Sequence, residues 1–211
     1  MDNKNLDAGF IDIERLLVDG GMLDEYLRYK DLQQRKLFID SEIEQFGVSE
    51  IIRHIIQFNR DDADIPPDER KPILLYISSR GGEVDSGWTL INTIEHSITP
   101  VYTINLGYQY SMAFLIGLAG HKRFAMPNAK YLMHDGFEMI MDSAAKIQDK
   151  MEFQKKVDER EKEYVLQHSA ITGDVYDEKL RVEWYMFADE AKTYGFVDCI
   201  IGEDCTIGEV V

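Results

Sequence analysis

Ser111 lies between two apolar segments, in the stretch GYQYSMA (107–113). The segment before it, VYTINL, is typical of a buried strand, and FLIGLAG after it is typical of a buried helix. A serine at such a junction can act as a nucleophile, because the unpaired N–H groups of a first helical turn favour negative charge nearby. The N–H of Met112 would then help to hold the oxyanion of a tetrahedral intermediate. An N-cap serine is the common structural alternative.

A second turn with serine and glycine, SSRGG (78–82), follows the apolar run PILLYI. Two glycines after a strand let the backbone approach a ligand closely and adopt positive φ angles. The N–H of Gly82 is therefore a candidate second oxyanion donor, although a Gly-Gly pair is also typical of an ordinary turn. The pattern G-x-x-x-x-G-K is absent, so the sequence does not predict a phosphate-binding loop.

A nucleophilic serine needs a general base, and the chain offers five histidines: His54, His96, His121, His134 and His168. His134 ends the strand-like segment KYLM and precedes Asp135-Gly136, which places its imidazole at a strand tip. The other four fall on predicted helices or in a turn. By position His134 is the best candidate for the general base, although a histidine at a strand end is also a common structural residue.

The elements that position these residues alternate along the chain. An apolar strand, a glycine or serine turn and a helix follow one another over residues 73–97 and again over 101–120. Such alternation predicts an α/β fold with parallel strand pairing. In open α/β sheets the functional site lies at the carboxyl ends of the strands, where both SSRGG and GYQYS fall.

The remaining chain suggests an appendage and one long helix. We expect residues 1–36 to form a partly mobile N-terminal appendage and residues 37–211 to form a single domain. A highly charged helix is predicted over about residues 142–168. Apolar side chains recur along this helix at Ile147, Met151, Phe153 and Val157, and this stripe would need a partner to cover it.

Composition excludes several classes of function. The 211 residues include 23 basic and 39 acidic side chains, and the resulting net charge of −16 would repel nucleic acid. No apolar run approaches the ~20 residues of a membrane span, and the polar N-terminal segment does not predict a signal peptide. Cys199 and Cys205 form neither a C-x-x-C pair nor a zinc framework. We therefore expect two free thiols in a reducing cytosol, and neither a metal nor a cofactor.

Four segments taken together resemble the proteolytic subunit of the Clp protease, a family of serine peptidases. The family has SPGG where this chain has SSRGG, and GQAASMG where it has GYQYSMA. The family's KRF-x-x-PN, followed by a strand ending in histidine, corresponds to KRFAMPNAKYLMH, and its FLSA-x-EA-x-x-YGLVD corresponds to MFADEAKTYGFVD. The resemblance covers roughly residues 37–201, and the order and spacing of the segments are specific. It identifies a divergent member, and it implies the α/β Clp-protease and crotonase-like fold, built from repeated strand-turn-helix units with a projecting handle helix.

The resemblance also implies roles for individual residues. The nucleophile of the family falls on Ser111 and its base on His134. Its oxyanion donors fall on the backbone N–H groups of Gly82 and Met112.

Three positions depart from the family pattern. The third member of the triad falls on Glu183, where the family has aspartate. Arg80 replaces a common proline. Glu83 replaces an apolar residue in the segment where, together with Val84, the family pairs with the substrate backbone.

The assembly and activity follow from the same resemblance. It implies two stacked heptameric rings of identical subunits, which enclose a chamber where unfolded polypeptides are hydrolysed in the cytoplasm. A hexameric AAA+ unfoldase driven by ATP would dock on the ring face, and the subunit itself would bind no nucleotide.

Two alternatives remain open. The first is a catalytically impaired subunit with a structural role in a mixed ring, which the departures at positions 80, 83 and 183 favour. The second is an enzyme like enoyl-CoA hydratase, which uses backbone oxyanion donors on a related fold but does not need both Ser111 and His134.

Overall fold

The computed structural model of the chain describes residues 20–136, 141–180 and 182–210. The chain divides into two compact units, one that ends at Lys36 and one from Leu37 onward. In the first unit the helix α1 (Leu23–Gln33) has acidic residues in its first turn and Lys30 in its last, an arrangement that complements the helix dipole. The part of the predicted appendage before residue 20 lies outside the described residues.

Strands and helices alternate from residue 36 onward. The strands are β1 (Lys36–Ile39), β2 (Ile73–Ser79), β3 (Val101–Tyr110), β4 (Lys122–Ala125), β5 (Lys130–Met133), β6 (Trp184–Phe187) and β7 (Cys199–Ile200). The helices are α2 (Gln45–Asp61), α3 (Val84–Glu95), α4 (Met112–Leu118), α5 (Ala144–Gln167), α6 (Gly173–Leu180) and α7 (Ala188–Thr193), with 3₁₀ turns at Pro67–Glu69 and Ile207–Glu209.

The strands form one mostly parallel sheet. Its order is β1-β2-β3-β4-β7, and β5 pairs with both β3 and β6. The pairs β2–β3, β3–β4, β3–β5 and β4–β7 are parallel, whereas β5–β6 is antiparallel. This mixture of helices with a mostly parallel sheet confirms the α/β fold that the alternating pattern predicts.

Strand β3 is the element on which the sheet divides. Its first half pairs with β4, from Tyr102 to Asn105, and its last three residues pair with β5. Asn105 is fully buried at the division, where its side-chain amide donates to the carbonyl of Lys130 at 3.0 Å and its side-chain oxygen accepts from the N–H of Gly107 at 3.0 Å. These bonds satisfy backbone groups that would lack a partner where β3 changes neighbours.

The course of β3 corrects one prediction from the sequence. The stretch GYQY was placed in a turn, but the structure continues β3 through Tyr110. Gly107 and the polar side chain of Gln109 interrupt the apolar pattern, so the sequence does not predict that the strand continues through them. Gln109 is nevertheless buried, and a Cβ on Gly117 would lie only 2.2 Å from its side-chain oxygen, so α4 packs closely on this half of the strand.

The core lies on both faces of the central strands. Ile73, Leu75 and Ile77 of β2 are fully buried, as are residues of α3 such as Ile91 and Ile94. The intervening side chains of β2 join a second cluster, whose members are Leu74, Tyr76, Ile104, Phe124, Cys199, Ile201 and Val210. A strand covered on both faces accounts for the continuous apolar run PILLYI. Full burial of each such side chain contributes about 1.5–3 kcal/mol.

The two cysteines are bonded, contrary to the prediction of free thiols. A disulfide joins Cys199 at the start of β7 to Cys205, with the two Cα atoms 6.2 Å apart. Between them the chain turns at Gly202, whose N–H donates to the carbonyl of Cys205 at 2.8 Å. A six-residue separation matches no recognised cysteine motif, so the pairing depends on this turn and could not be read from spacing.

The described ranges contain neither a membrane-spanning helix nor a metal-binding cluster. No helix within them is long and apolar enough to cross a bilayer. No cluster of three or more histidine, cysteine, aspartate or glutamate side chains in these ranges is arranged to hold a metal ion.

Candidate active site

Three neighbouring strand ends bring the predicted functional residues together. Ser111 follows β3 and His134 follows β5, and the register of these parallel strands pairs Tyr110 with Leu132. The N–H of Ser111 donates to the carbonyl of Leu132 at 2.9 Å. Adjacent strands lie about 4.8 Å apart, so the residues just beyond the two ends are close neighbours. On the opposite side of β3, β2 ends at Ser79 and leads into the turn SSRGG.

Ser111 has a strained backbone. Its φ is +54° and its ψ is −126°, a combination that residues other than glycine rarely adopt. Its side chain makes no capping hydrogen bond to α4, so the alternative of an ordinary N-cap serine does not account for the residue. Strain of this kind persists only where the surrounding structure imposes it, and it is concentrated at functional sites. A sharp turn from strand to helix also presents the nucleophile in unrelated hydrolases.

Gly81 makes this turn possible from the opposite strand. Its φ is +98°, and a Cβ at this position would lie 2.8 Å from the Cβ of Ser111 and 2.7 Å from the carbonyl oxygen of Tyr110. A larger residue would therefore displace the serine. The sequence indicated the glycine pair through its general turn chemistry, but the contact between Gly81 and Ser111 depends on pairing of distant strands.

The backbone around Gly82 is held by Ile43. The Ile43 N–H donates to the carbonyl of Gly81, and its own carbonyl accepts from the N–H of Glu83, both at 2.8 Å. A Cβ on Gly82, whose φ is +149°, would lie 2.3 Å from the Ile43 carbonyl oxygen. Within the described ranges, the N–H groups of Gly82 and Met112 donate to no acceptor. Two backbone donors thus remain available on either side of Ser111.

Five of the predicted site residues line one cavity. This cavity has a volume of about 540 Å³, and Glu83, Val84, Ser111, Met112 and His134 all contribute to its wall. Cavities of about 300–1,000 Å³ are the usual size for ligand sites. Gly82 immediately precedes this set in the chain, so the predicted nucleophile, base and oxyanion donors converge on one region.

Glu183 is placed beside His134 but outside the cavity wall. The antiparallel ladder pairs Met133 with Trp184, so one step beyond its end Glu183 lies opposite His134. Cross-strand neighbours have Cβ atoms about 4.5–5.5 Å apart, which is within reach of a hydrogen bond between their side chains. The Glu183 carboxylate is exposed and accepts a hydrogen bond from the hydroxyl of Tyr185 at 3.2 Å.

The imidazole of His134 is half-buried at the cavity wall. In the described part of the chain it forms no hydrogen bond with Ser111 or Glu183. The three side chains therefore occupy neighbouring positions without the closed hydrogen-bond chain of a working triad. Such bonds often form only when substrate is bound.

Three other histidines have structural partners that explain their positions. The Nδ1 of His121 accepts from the N–H of Val101 at 3.1 Å. His168 lies 3.0 Å from the carboxylate of Glu95, and the ring of His96 lies 2.9 Å from the carbonyl of Asn92 in its own helix. Of the two histidines that remain, His54 lies on α2 and His134 lines the cavity with Ser111, which favours His134 as the base.

The far wall of the cavity comes from α5 and α6. Phe153, Val157 and Glu161 are spaced four residues apart on one face of α5, and Tyr176 and Leu180 face them from α6. The sequence assigned Phe153 and Val157 to a stripe awaiting a partner, and it gave no role to the residues of α6. The spacing along α5 was visible in the sequence, whereas the packing of α6 against it was not.

Glu161 has an unusual titration at this wall. Burial raises the pKa of its carboxyl group to about 7, and the neighbouring carboxylate of Asp158 contributes in the same direction. Burial also raises the pKa of the Tyr176 hydroxyl, with a further contribution from Glu161. The wall of the cavity that contains Ser111 therefore holds an acidic proton up to about neutral pH.

Comparisons with known proteins show which family the chain is similar to. The sequence model of the family described as Clp protease matches residues 22–204. The ATP-dependent Clp protease proteolytic subunit 1 of Streptomyces avermitilis is 29% identical over 184 residues, which cover 84% of this chain and 80% of that protein.

We predict that Gly81→Ala destabilises the protein by about 2–5 kcal/mol, because it combines an unfavourable φ with a steric clash against Ser111. Gly202→Ala is the matched control: its φ of +90° is similar, but a Cβ there meets nothing within 4 Å. The control should cost only about 1 kcal/mol. Urea unfolding monitored by circular dichroism measures both values, and equal losses would contradict the close approach of the two turns.

The raised pKa of Glu161 predicts a pH dependence of stability. The folded chain holds this proton up to about pH 7, whereas an unfolded glutamate releases it near pH 4.5. The contribution is therefore fully present below pH 4.5 and is lost as the pH rises through 7. Relative to Glu161→Gln, the wild type should lose on the order of 2 kcal/mol of unfolding free energy between pH 4.5 and 8.

Unfolding of both proteins in urea across this pH range provides the measurement. The exposed Glu159 on the same helix supplies the control, since Glu159→Gln should follow the wild type at every pH. A constant difference between wild type and Glu161→Gln would contradict the burial of this carboxyl group.

Proposed function

The chain belongs to the Clp protease family, and from this premise we propose that it is a serine endopeptidase that hydrolyses unfolded polypeptides within a ring-shaped particle. The observation that carries the proposal is the strained backbone of Ser111 at a cavity that His134 also lines. Neither the alternative of a structural subunit nor that of an enoyl-CoA hydratase-like enzyme explains why a strained serine and a histidine share this cavity.

The proposed reaction follows from the positions of four groups. The Ser111 Oγ attacks the carbonyl carbon of the scissile peptide, while His134 accepts the serine proton. The negative charge on the resulting tetrahedral oxygen is stabilised by the N–H groups of Gly82 and Met112. His134 then donates the proton to the leaving amine, and the acyl-enzyme ester forms as the peptide bond breaks. Water, deprotonated by His134, hydrolyses the ester and restores Ser111.

Glu183 is proposed as the positioning residue for His134. Its place opposite His134 beyond the β5–β6 ladder supports this role. Glutamate has one more methylene than the family's aspartate, so its carboxylate can turn from the Tyr185 hydroxyl toward the imidazole by side-chain rotation. A carboxylate bonded to one nitrogen of the ring fixes its tautomer and stabilises the imidazolium that forms during the reaction.

Glu83 and Val84 are proposed to contact the polypeptide backbone of the substrate. Both line the cavity at the start of α3, and Val84 is 47% exposed. The Glu83 carboxylate accepts a hydrogen bond from the hydroxyl of Ser86 at 2.6 Å, which holds its side chain along the helix. An extended peptide lying beside this segment would place its carbonyl group near the Gly82 N–H.

The assembly is also part of the proposal. We infer two stacked heptameric rings of this subunit and docking of an AAA+ unfoldase, and no nucleic acid, membrane, cofactor or metal in the reaction. Exposed apolar side chains at and beside α5, including Met141 at 90% and Met151 at 53%, support burial of this helix between subunits. The cytoplasm stays a prediction, and the disulfide weighs against the reducing compartment on which it was based.

We expect a fluorophosphonate probe to label Ser111 and Ser111→Ala to lower peptidase activity at least about 10³-fold. Ser143→Ala is the control, because this exposed residue precedes α5 and makes no side-chain capping bond. Peptide cleavage, intact-protein mass and native mass of the particle are the measurements. Assembled rings that neither cleave short peptides nor react with the probe would instead identify a structural subunit.

Glu183→Ala should lower kcat by about 10–10⁴-fold and leave KM nearly unchanged, because the residue acts on His134 and not on the substrate. Glu178→Ala, at an exposed position of α6, is the charge-matched control. Steady-state kinetics on a short fluorogenic peptide measures both parameters. Unchanged kcat in Glu183→Ala would remove this residue from the triad while leaving the roles of Ser111 and His134 intact.

A further inference from the structure

The cavity that Ser111 lines is more apolar at the wall formed by α5 and α6 than it is near the serine. Near the serine its wall includes Met112, whose backbone N–H is a candidate oxyanion donor, whereas the far wall is formed by the side chains of Phe153, Val157, Tyr176 and Leu180. Such a wall suits a substrate side chain with an apolar stem. The wall does not end in apolar residues alone, because Asp158 and Glu161 lie among them.

Charge along the whole cavity has one sign. Five carboxylates line it, at Glu83, Asp85, Asp135, Asp158 and Glu161, and no lysine or arginine stands among its described lining residues. Among the same described residues, the imidazole of His134 is the one basic side chain. An acidic substrate side chain would therefore meet several carboxylates and no lysine or arginine among these residues.

Glu161 has no cationic partner among the residues that the structure describes. Over the described ranges no lysine, arginine or histidine forms an ion pair with its carboxylate. Lys162, the next residue, turns instead to Asp177 at 2.6 Å. In the part of the chain that the structure describes, Asp158 accepts a hydrogen bond from the side-chain amide of Gln154 at 2.9 Å and from no other group. A half-buried carboxylate without a counter-charge is costly, and a bound cation would remove that cost.

We propose that Glu161 and Asp158 select polypeptides with an arginine or lysine side chain next to the scissile bond. This inference rests on the proposed peptidase function, which it extends to the class of substrate. Arginine and lysine combine a chain of methylenes with a terminal charge. The methylenes would contact Phe153, Val157 and Tyr176, and the cationic head would bind the two carboxylates.

The competing substrate classes fit this wall less well. A leucine side chain would contact the apolar residues but leave Glu161 desolvated and unpaired. A glutamate would add a sixth carboxylate to the cavity. Discrimination should be strong, because a site whose polar groups are left without partners rejects the analogue that lacks the matching group.

The test uses the full-length chain in its assembled form and short fluorogenic peptides that differ only at the residue before the cleaved bond. Arginine is compared with citrulline, which has nearly the same shape but no charge, and with leucine and glutamate. We expect kcat/KM for the arginine peptide to exceed that for citrulline at least about tenfold. In the double variant Asp158→Asn/Glu161→Gln the ratio should fall to within about twofold.

The control for lost charge is Glu159→Gln, an exposed position on the same helix, where the arginine-to-citrulline ratio should stay at the wild-type value. Equal cleavage of the two peptides by the wild type would overturn the inference. So would a ratio that survives in the double variant. Cleavage of all the peptides without preference leaves the proposed peptidase function standing and removes only the assigned specificity.

A binding measurement tests the proposed substrate preference independently of the proposed peptidase activity. Fluorescence anisotropy of labelled arginine and citrulline peptides on Ser111→Ala needs no catalysis. Tighter binding of the arginine peptide, lost on adding the double substitution, supports the inference even if the wild type cleaves nothing. Equal affinities would overturn it.

Discussion

The division of β3 between two neighbouring strands is the constraint on which the site depends. Because the strand leaves β4 after Asn105 and pairs with β5 from Tyr108, its end lies beside the end of β5. The buried side chain of Asn105 closes the gap with hydrogen bonds to backbone on both sides. Without this change of partner, Ser111 would emerge next to β4, whose end carries neither a histidine nor the antiparallel strand β6. The order of the strands in the sheet therefore determines that Ser111 and His134 lie next to each other.

Close packing converts this topology into the geometry on which the proposed reaction depends. The absence of a side chain at Gly81 allows the turn after β2 to approach the turn after β3, and Ile43 fixes the peptide groups around Gly82. The two unpaired N–H groups are then held in place by bonds that their neighbours make. A preorganised donor of this kind needs no rearrangement when charge develops, which is why backbone groups suit the role. The handle helix α5 closes the opposite side and so joins the site to the surface that the proposed rings would share.

The sequence predicted what local patterns encode. Alternating apolar strands and helices gave the α/β fold, and strand-end chemistry led to Ser111, His134 and Gly82, which the structure places together. Three features could not be predicted from the sequence because they depend on contacts between different segments of the chain. The GYQY stretch extends β3 because β5 and the end of β2 pair with it. The disulfide forms because the chain turns at Gly202, and the wall that contains Glu161 is completed by α6. Glu183 is intermediate: its motif predicted the position, whereas its hydrogen bond to Tyr185 could not be foreseen.

The backbone of Ser111 has a consequence for how such a chain can change over time. A φ of +54° with a ψ of −126° is an unfavourable backbone conformation for any residue with a Cβ, whereas glycine adopts it readily. A lineage released from the need for a hydroxyl group would gain stability by drifting to glycine at this one position. Loss of the serine by substitution with glycine would thus stabilise the fold. A lineage that retains the serine keeps a residue whose backbone conformation is unfavourable.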